Sequence, residues 1–433
     1  MFILYDLIFL AFAIVYLPFF LLRGKMHAGF ARRLGVLPKG LALDRPIWIH
    51  AVSVGEAASV RHLAGELRAA YPGKKFVIST VTTTGNRIAA SIAAPGDFVT
   101  YLPLDLSFIV GRTLARINPC CLVIVETELW PNLIRCAARR GIPVCVVNGR
   151  ISDKSFRRYR LVRPLLAPLL NKVTVFCPQS ERDGERLARL GLRPGKIKAT
   201  GNMKFDITVR DYDGLRKDYH DYRQDFGIGS GERLLVAAST HPGEEAAVIE
   251  VYRRLREKSP ELRLLIAPRH PERSAELEAL VRQAGLEPVR VSSIAPVKGV
   301  AVPPARTGRE IFILDTVGQL MYFYAISDIV FVGGSLVRTG GHNILEPASL
   351  GKPILFGPHM FNFPDITALF LEKGAARMVA DKTELAAGIA ALLADPAAVS
   401  ALGGAARQII TGNQGATRRN CEVIKGVLSG ARL

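Results

Sequence analysis

The chain has 433 residues, 49% hydrophobic and 22% charged, which is enough for two or more compact cores and argues against extended disorder. Its 57 basic and 38 acidic side chains leave a net charge of +19, which suits polyanions: nucleic acid, anionic lipid headgroups or phosphorylated substrates. The six cysteines form no CxxC and no spacing with histidine that suits zinc, so no metal or redox centre is expected, and five of them read as reduced thiols in apolar runs of a cytoplasmic body.

The first element is the apolar run from Phe2 to Leu22, interrupted by Asp6 and Pro18 and followed by Arg23, Lys25, Arg32 and Arg33. About 20 apolar residues at 1.5 Å rise cross ~30 Å of hydrocarbon. The run lacks the basic start and small-residue cleavage site of a signal peptide, so an uncleaved membrane anchor is expected over residues 1–25. The positive flank leaves the rest of the chain on the cytoplasmic side. Asp6 and Pro18 keep two alternatives open, a helix that dips into the bilayer and a buried first helix.

From Arg45 short β-rich runs alternate with helical stretches. Ile47–His50, Lys75–Ser79, Leu122–Val125, Val144–Val147 and Val173–Phe176 read as buried parallel strands, so residues 26–206 form one doubly wound, Rossmann-like unit. Residues 207–232, polar and rich in Asp, Tyr, Arg and Gly, read as a linker. A second series occupies residues 233–411, with strands at Arg233–Ala237, Leu262–Ile266, Gly308–Leu314, Ile329–Val332 and Lys352–Phe356 and a helix at Glu244–Lys258. Two open α/β domains imply ligand-binding loops at the carboxyl ends of both sheets, facing a shared cleft.

The sharpest local signal is the run Gly333-Gly-Ser-Leu-Val-Arg-Thr-Gly-Gly-His-Asn-Ile-Leu-Glu346, between a strand and a helix expected to begin near Asn343. Its glycines and helix N-terminus predict a phosphate cradle, with Glu346 capping the helix or accepting from ribose hydroxyls. The loops Ser239–Glu245 and Ala267–Arg273 also follow strands, and Arg269 and Arg273 suit phosphate oxygens. In the first half, Glu56 opens the helix after Ile47–His50, where it reads equally as a general base or as an acid favoured by the helix dipole. Glu126 follows the most apolar strand of that half, and Lys204 lies at the domain junction, where its ammonium suits developing phosphate charge. Asp211-Tyr-Asp213 matches a short metal-nucleotide pattern but falls in the linker and reads as solvated. Ser155–Arg163, with Arg135, Arg139 and Arg140, reads as a basic face for anionic lipid or a phosphorylated acceptor.

Taken together, Ser53–Glu56, Glu126–Leu133, Gly201–Asp206, Pro268–Arg273, Gly333–Ser335, Gly341–Glu346 and Gly357–Phe363 resemble, in order, the motifs of the 3-deoxy-D-manno-octulosonic acid (Kdo) transferases of lipopolysaccharide synthesis. The resemblance implies a glycosyltransferase-B fold, two Rossmann-like domains facing a cleft behind an N-terminal membrane-anchor helix. It also implies transfer of Kdo from CMP-Kdo to a lipid A precursor, with inversion and with no metal or other cofactor. The first domain would bind the acceptor and the second the nucleotide sugar, with residues 412–433 forming a helix that packs back on the first domain. Glu56 takes the catalytic base position, and Glu126 and Lys204 take transition-state positions. Pro268, Arg269, Val317, Gly318, Gln319, Asn343, Ile344, Leu345 and Glu346 fall on CMP-binding segments. Gln319 stands where the family pattern usually has glutamate, and an amide still accepts a hydrogen bond there. The implied partners are CMP-Kdo, lipid A precursor and membrane lipid at the cytoplasmic side of a bacterial inner membrane.

Two competing readings are a related nucleotide-sugar enzyme, such as a lipid A disaccharide synthase or a sugar-nucleotide epimerase, and a basic nucleic-acid- or membrane-binding module without catalysis. No nucleic-acid motif is present, and the glycine loops follow strands instead of lining a continuous basic face.

Overall fold

The computed structural model describes residues 5–11, 14–15, 29–51, 54–206, 223, 226–294 and 308–430. The side chains of residues 52–58, Glu56 among them, lie outside that set. The chain divides into two compact units, one formed by Met1–Ile207 with Asn413–Leu433 and the other by Thr208–Gly412.

In the first unit β1 (Ile47–His50), β2 (Phe76–Thr80), β3 (Phe98–Tyr101), β4 (Cys121–Val125), β5 (Val144–Gly149) and β6 (Val175–Pro178) form one sheet. The order is β3-β2-β1-β4-β5-β6, and every pairing is parallel. A parallel sheet is covered on both faces, which is why β1, β2, β4 and β5 are apolar and buried at nearly every position. The strand period of two splits them between two cores: Ile47, Ile49, Cys121 and Val123 face one, Trp48, Leu122 and Ile124 the other. The strand order reverses between β1 and β4, so the crevice at their carboxyl ends is the place for a ligand.

The helix Ala416–Gly430 joins this unit through buried Cys421, Ile424 and Leu428, in the same core as Leu63 and Leu67 of the helix Val54–Ala70. The Asp206 carboxylate ties down its start, accepting from Gly415 N at 2.6 Å and Thr417 N at 2.5 Å. At the other end of the chain residues 5–11 are helical. The Tyr5 hydroxyl donates to Asp105 Oδ2 at 3.0 Å, and Asp6 Oδ1 accepts from Ser107 N at 3.0 Å and Asn132 Nδ2 at 2.7 Å, so Asp6 serves as a docking group of this unit. Most of the anchor expected over residues 1–25 lies outside the described residues. Among those described, no single helix is long and apolar enough to cross a membrane.

The second unit holds β7 (Arg233–Thr240), β8 (Leu262–Pro268), β9 (Glu287–Arg290), β10 (Glu310–Ile313), β11 (Ile329–Val332), β12 (Ile354–Phe356) and β13 (Arg377–Met378). Its parallel sheet runs β13-β12-β11-β7-β8-β10-β9, with the reversal between β7 and β11. The expected linker over 207–232 is too long by this structure: Phe226 and Ile228 are buried, and the Phe226 ring meets Phe312 and Phe323 edge-on at 5.8 and 5.0 Å. Residues from 226 onward therefore belong to the second core, while 207–222, including Asp211 and Asp213, lie outside the described residues.

Candidate functional site

In the first unit the polar residues gather where β1, β4 and β5 end. His50 is fully buried, with Nδ1 3.0 Å from both the carbonyl and the hydroxyl oxygen of Ser79, and burial lowers its imidazole from 6.5 to about 4. Its Nε2 is buried with no hydrogen-bond partner among the described residues, beside the edge-on ring of Trp130 at 6.5 Å. The helix Val54–Ala70 starts four residues later and carries Glu56 in its first turn.

Glu126 is the first residue after β4 and sits at φ +59, a left-handed conformation that only glycine adopts freely. Its N–H donates to Val147 O at 2.8 Å, and its Oε1 lies 2.9 Å from Lys204 Nζ. Both side chains keep about a quarter of their surface, 24% for Glu126 and 28% for Lys204, so the pair remains open to a ligand. Lys204 lies in a 3-10 turn, Met203–Phe205. That turn is held by Asn202 Oδ1, which accepts from Lys204 N at 2.9 Å, and by Asn148 Oδ1, which accepts from Met203 N at 2.9 Å. Asn148, next to last in β5, is itself left-handed at φ +54, so two residues with left-handed backbone sit at or beside the ends of neighbouring strands. Sequence alone does not single out Asn148 or Asn202; the one signal for Asn148 is a polar residue directly after the apolar run Val144–Val147.

The basic face is smaller than expected. Arg135 is buried and donates to Asn132 Oδ1 at 3.0 Å, because it lies on the inward side of its helix, Pro131–Arg139. Arg157, Arg158, Arg160 and Arg163 are exposed, next to exposed Leu161, Val162 and Leu165.

In the second unit the site lies at the ends of β7, β8 and β11. Pro268 closes β8, and the following N–H, of Arg269, donates to Thr240 O at 2.9 Å. His241 and His342 meet with their Nε2 atoms 2.9 Å apart, ring centroids 5.1 Å apart and planes within 3°. With the Nε2 atoms that close, a centroid spacing as long as 5.1 Å sets the parallel rings end to end, an N–H···N bond in which one imidazole donates and the other accepts. Burial, then the charges of Arg269 and the other histidines, pulls His342 down to about 4; burial also lowers His241. Asn343 accepts from Leu345 N at 3.0 Å and donates to Glu346 Oε1 at 3.2 Å. Burial raises the Glu346 carboxyl, opposed by the Asn343 bond and by Arg269. Arg269, His241, His342, Asn343 and Glu346 thus converge. Ile344 and Leu345 are fully buried and offer a ligand only backbone. Val317, Gly318 and Gln319 follow β10 on the same sheet edge, where Val317 is exposed, Gly318 has φ +92 and Gln319 Oε1 accepts from the Thr316 hydroxyl.

Two expectations are corrected here. The Gly333–Leu336 turn is not a free phosphate cradle, because the buried Glu244 carboxylate accepts from Gly334 N at 2.6 Å and from Ser335 N and Leu336 N at 2.9 Å. The helix behind the loop is one short turn, Leu345–Ser349, so it adds little dipole. Arg273 is not a phosphate ligand either: it pairs with Glu245 and Glu276, each at 2.9 Å. Among the described residues no group of three His, Cys, Asp or Glu side chains is placed to hold a metal ion.

Residues 28–207 match the family model described as 3-Deoxy-D-manno-octulosonic-acid transferase (kdotransferase). The chain is 34% identical to the 3-deoxy-D-manno-octulosonic acid transferase of Haemophilus influenzae over 88% of its own length and 87% of that protein's. It is 32% identical to the enzyme of that name from Bordetella pertussis, over 92% and 90% of the two chains. A crystal structure of UDP-N-acetylglucosamine 2-epimerase superposes with a TM-score of 0.59 over 90% of this chain and 98% of that one at 15% identity, which shows a common fold of two parallel-sheet α/β domains, as in glycosyltransferase-B enzymes. With its motifs in place and its relatives matched over most of their length, the chain belongs to the Kdo transferases, the glycosyltransferases that add Kdo in lipopolysaccharide synthesis.

Proposed function

We propose that the chain moves Kdo from CMP-Kdo to the lipid A precursor lipid IVA, inverting the anomeric carbon, without a metal ion or other cofactor, at the cytoplasmic side of a bacterial inner membrane. Glu56 takes the proton of the acceptor hydroxyl as that oxygen attacks the anomeric carbon. The bond from that carbon to the phosphate oxygen breaks, and CMP leaves with the electron pair. Arg269 and Lys204 stabilise the charge that develops, and Glu126 holds Lys204 in place. Pro268, Arg269, Val317, Gly318, Gln319, Asn343, Ile344, Leu345 and Glu346 bind the nucleotide, Ile344 and Leu345 through backbone alone.

The observation that carries this reading is the Glu126–Lys204 pair, 2.9 Å apart, partly open to solvent and built on a strained backbone in a chain of this family. A lipid acceptor also accounts for the apolar run from Phe2 to Leu22 and for Leu161, Val162 and Leu165 among exposed arginines, a combination that an anionic bilayer accommodates. The test is incubation of the full chain with CMP-Kdo and a tetraacylated lipid A precursor, with mass spectrometry counting the sugars added. Glu56→Gln is expected to abolish transfer and to leave CMP binding intact. Turnover of a UDP-sugar with none of CMP-Kdo would instead support the epimerase-like alternative.

A further inference from the structure

Three successive N–H groups, those of Gly334, Ser335 and Leu336, point at one spot in the turn after β11, and such a concavity attracts an anion. The anion found there belongs to the chain. Glu244, with none of its surface exposed, places Oε2 against Gly334 N at 2.6 Å and His241 N at 3.0 Å, and Oε1 against Ser335 N and Leu336 N at 2.9 Å each. Four charge-assisted bonds offset the cost of burying this carboxylate. They also join two loops far apart in sequence, the one after β7 that carries His241 and the one after β11 that carries His342 and Asn343.

The rest of the second loop hangs from the same point. Gly341 N and the Thr339 hydroxyl both donate to Gly334 O, at 2.7 and 2.9 Å, which folds the segment back so that His342 reaches His241. The approach is too close for any side chain at Gly333, where a Cβ would lie 2.7 Å from Thr240 Cα and 2.8 Å from Ser239 O.

We propose that Glu244 is a positioning residue of the donor site: its carboxylate fills the anion nest in place of the substrate, locks the loops after β7 and β11 together, and so sets His241, His342 and Asn343 around Arg269. The donor's phosphate is then read by side chains, and the nest is a structural part. This inference rests on the reading that the second unit binds the CMP-Kdo nucleotide.

The experiment uses the full chain with Glu244→Ala and Glu244→Gln. In Glu244→Ala the KM for CMP-Kdo rises tenfold or more while kcat falls by less, and formate or acetate at tens of millimolar recovers at least severalfold of the loss by refilling the nest. Glu244→Gln keeps the volume but turns a donor toward N–H groups, so it is impaired and not recovered by formate. An unchanged donor KM in folded Glu244→Ala, a loss that formate leaves untouched, or an equal recovery by chloride overturns the proposal. If Glu244→Ala does not fold, Glu244→Asp, one methylene shorter, keeps an anion that no longer reaches all four N–H groups, so its donor KM rises without recovery by formate, and an unchanged donor KM overturns the proposal. The two readings fail separately. If the wild-type chain does not turn over CMP-Kdo, the donor assignment falls, whereas the nest is still read from a formate-specific rise in the thermal midpoint of Glu244→Ala, whose absence overturns the internal-anion role.

Discussion

Replacing Glu126 by alanine and by glycine separates two things this residue does. Both substitutions delete the carboxylate and with it the Lys204 ion pair, a partly exposed contact with about 0.2 to 1 kcal/mol of stability to lose. They differ in the backbone. At φ +59 alanine keeps the left-handed strain of about 1 to 2 kcal/mol, and glycine releases it at some cost in unfolded-state entropy. Glu126→Gly is therefore expected to be about 1 kcal/mol more stable than Glu126→Ala, a difference of roughly 2 to 4 °C in thermal midpoint for a unit of this size. Thermal and urea unfolding of both variants, with initial transfer rates measured in parallel, reads stability and activity together. The expected pattern is opposed: glycine restores stability, and neither variant restores transfer. A glycine variant no more stable than the alanine variant would refute the claim of strain, and normal transfer by either would refute the role of the carboxylate.

Acid should weaken the fold through His50. The folded imidazole is held at about 4 and the unfolded one titrates near 6.5, so between these values the unfolded chain binds the extra proton and stability falls as the pH drops through the window. For this group alone the loss is about 3 kcal/mol at 1.36 kcal/mol per pH unit. Urea unfolding at pH 7.5, 6 and 5 should show a shallower slope for His50→Gln than for the wild type, whatever the variant's level at pH 7.5. Adjacent glycines in the helix Pro396–Asn413 should respond in opposite ways. A Cβ at Gly403 would meet Gly351 O at 2.0 Å, so Gly403→Ala should cost 2 kcal/mol or more, roughly the range of overpacking, and lower the urea midpoint. Gly404 faces open space, and Gly404→Ala should raise that midpoint by about 0.5 to 1 kcal/mol of helix propensity.

Central strands were the legible part of the fold. β1 and β11 match the apolar runs end to end because both faces of these strands are buried, which leaves little room for polar residues. β3, β9 and β13 escaped notice for the opposite reason. They are outer strands, paired on one side or very short, and Glu287-Pro-Val-Arg290 carries charge and a proline that no central strand would accept. The site divides in the same way. Glu126 stood out as a polar residue after the most apolar strand, and its contact with Lys204 bears on the role that the family resemblance gave both. Glu244 did not stand out, since a glutamate opening a helix is ordinary and the turn it fills lies far along the chain. A glycine-rich turn announces an anion nest but not whose anion occupies it. Likewise Asp6 read as a flaw in an apolar run, when its partners, Ser107 and Asn132, become neighbours only in the folded unit.

The return of the helix Ala416–Gly430 to the first unit has a consequence for biosynthesis. The second unit is one contiguous stretch and has all its strands as soon as that stretch has left the ribosome. The first unit begins earlier but lacks Cys421, Ile424 and Leu428 in its core until residues 416–430 are made. Domains usually mature in the order they are synthesised; in this chain the half that is started first is the half that is closed last. Until then the part of the core that Cys421, Ile424 and Leu428 cover stays open, so the nascent first unit is the part that needs protection from aggregation.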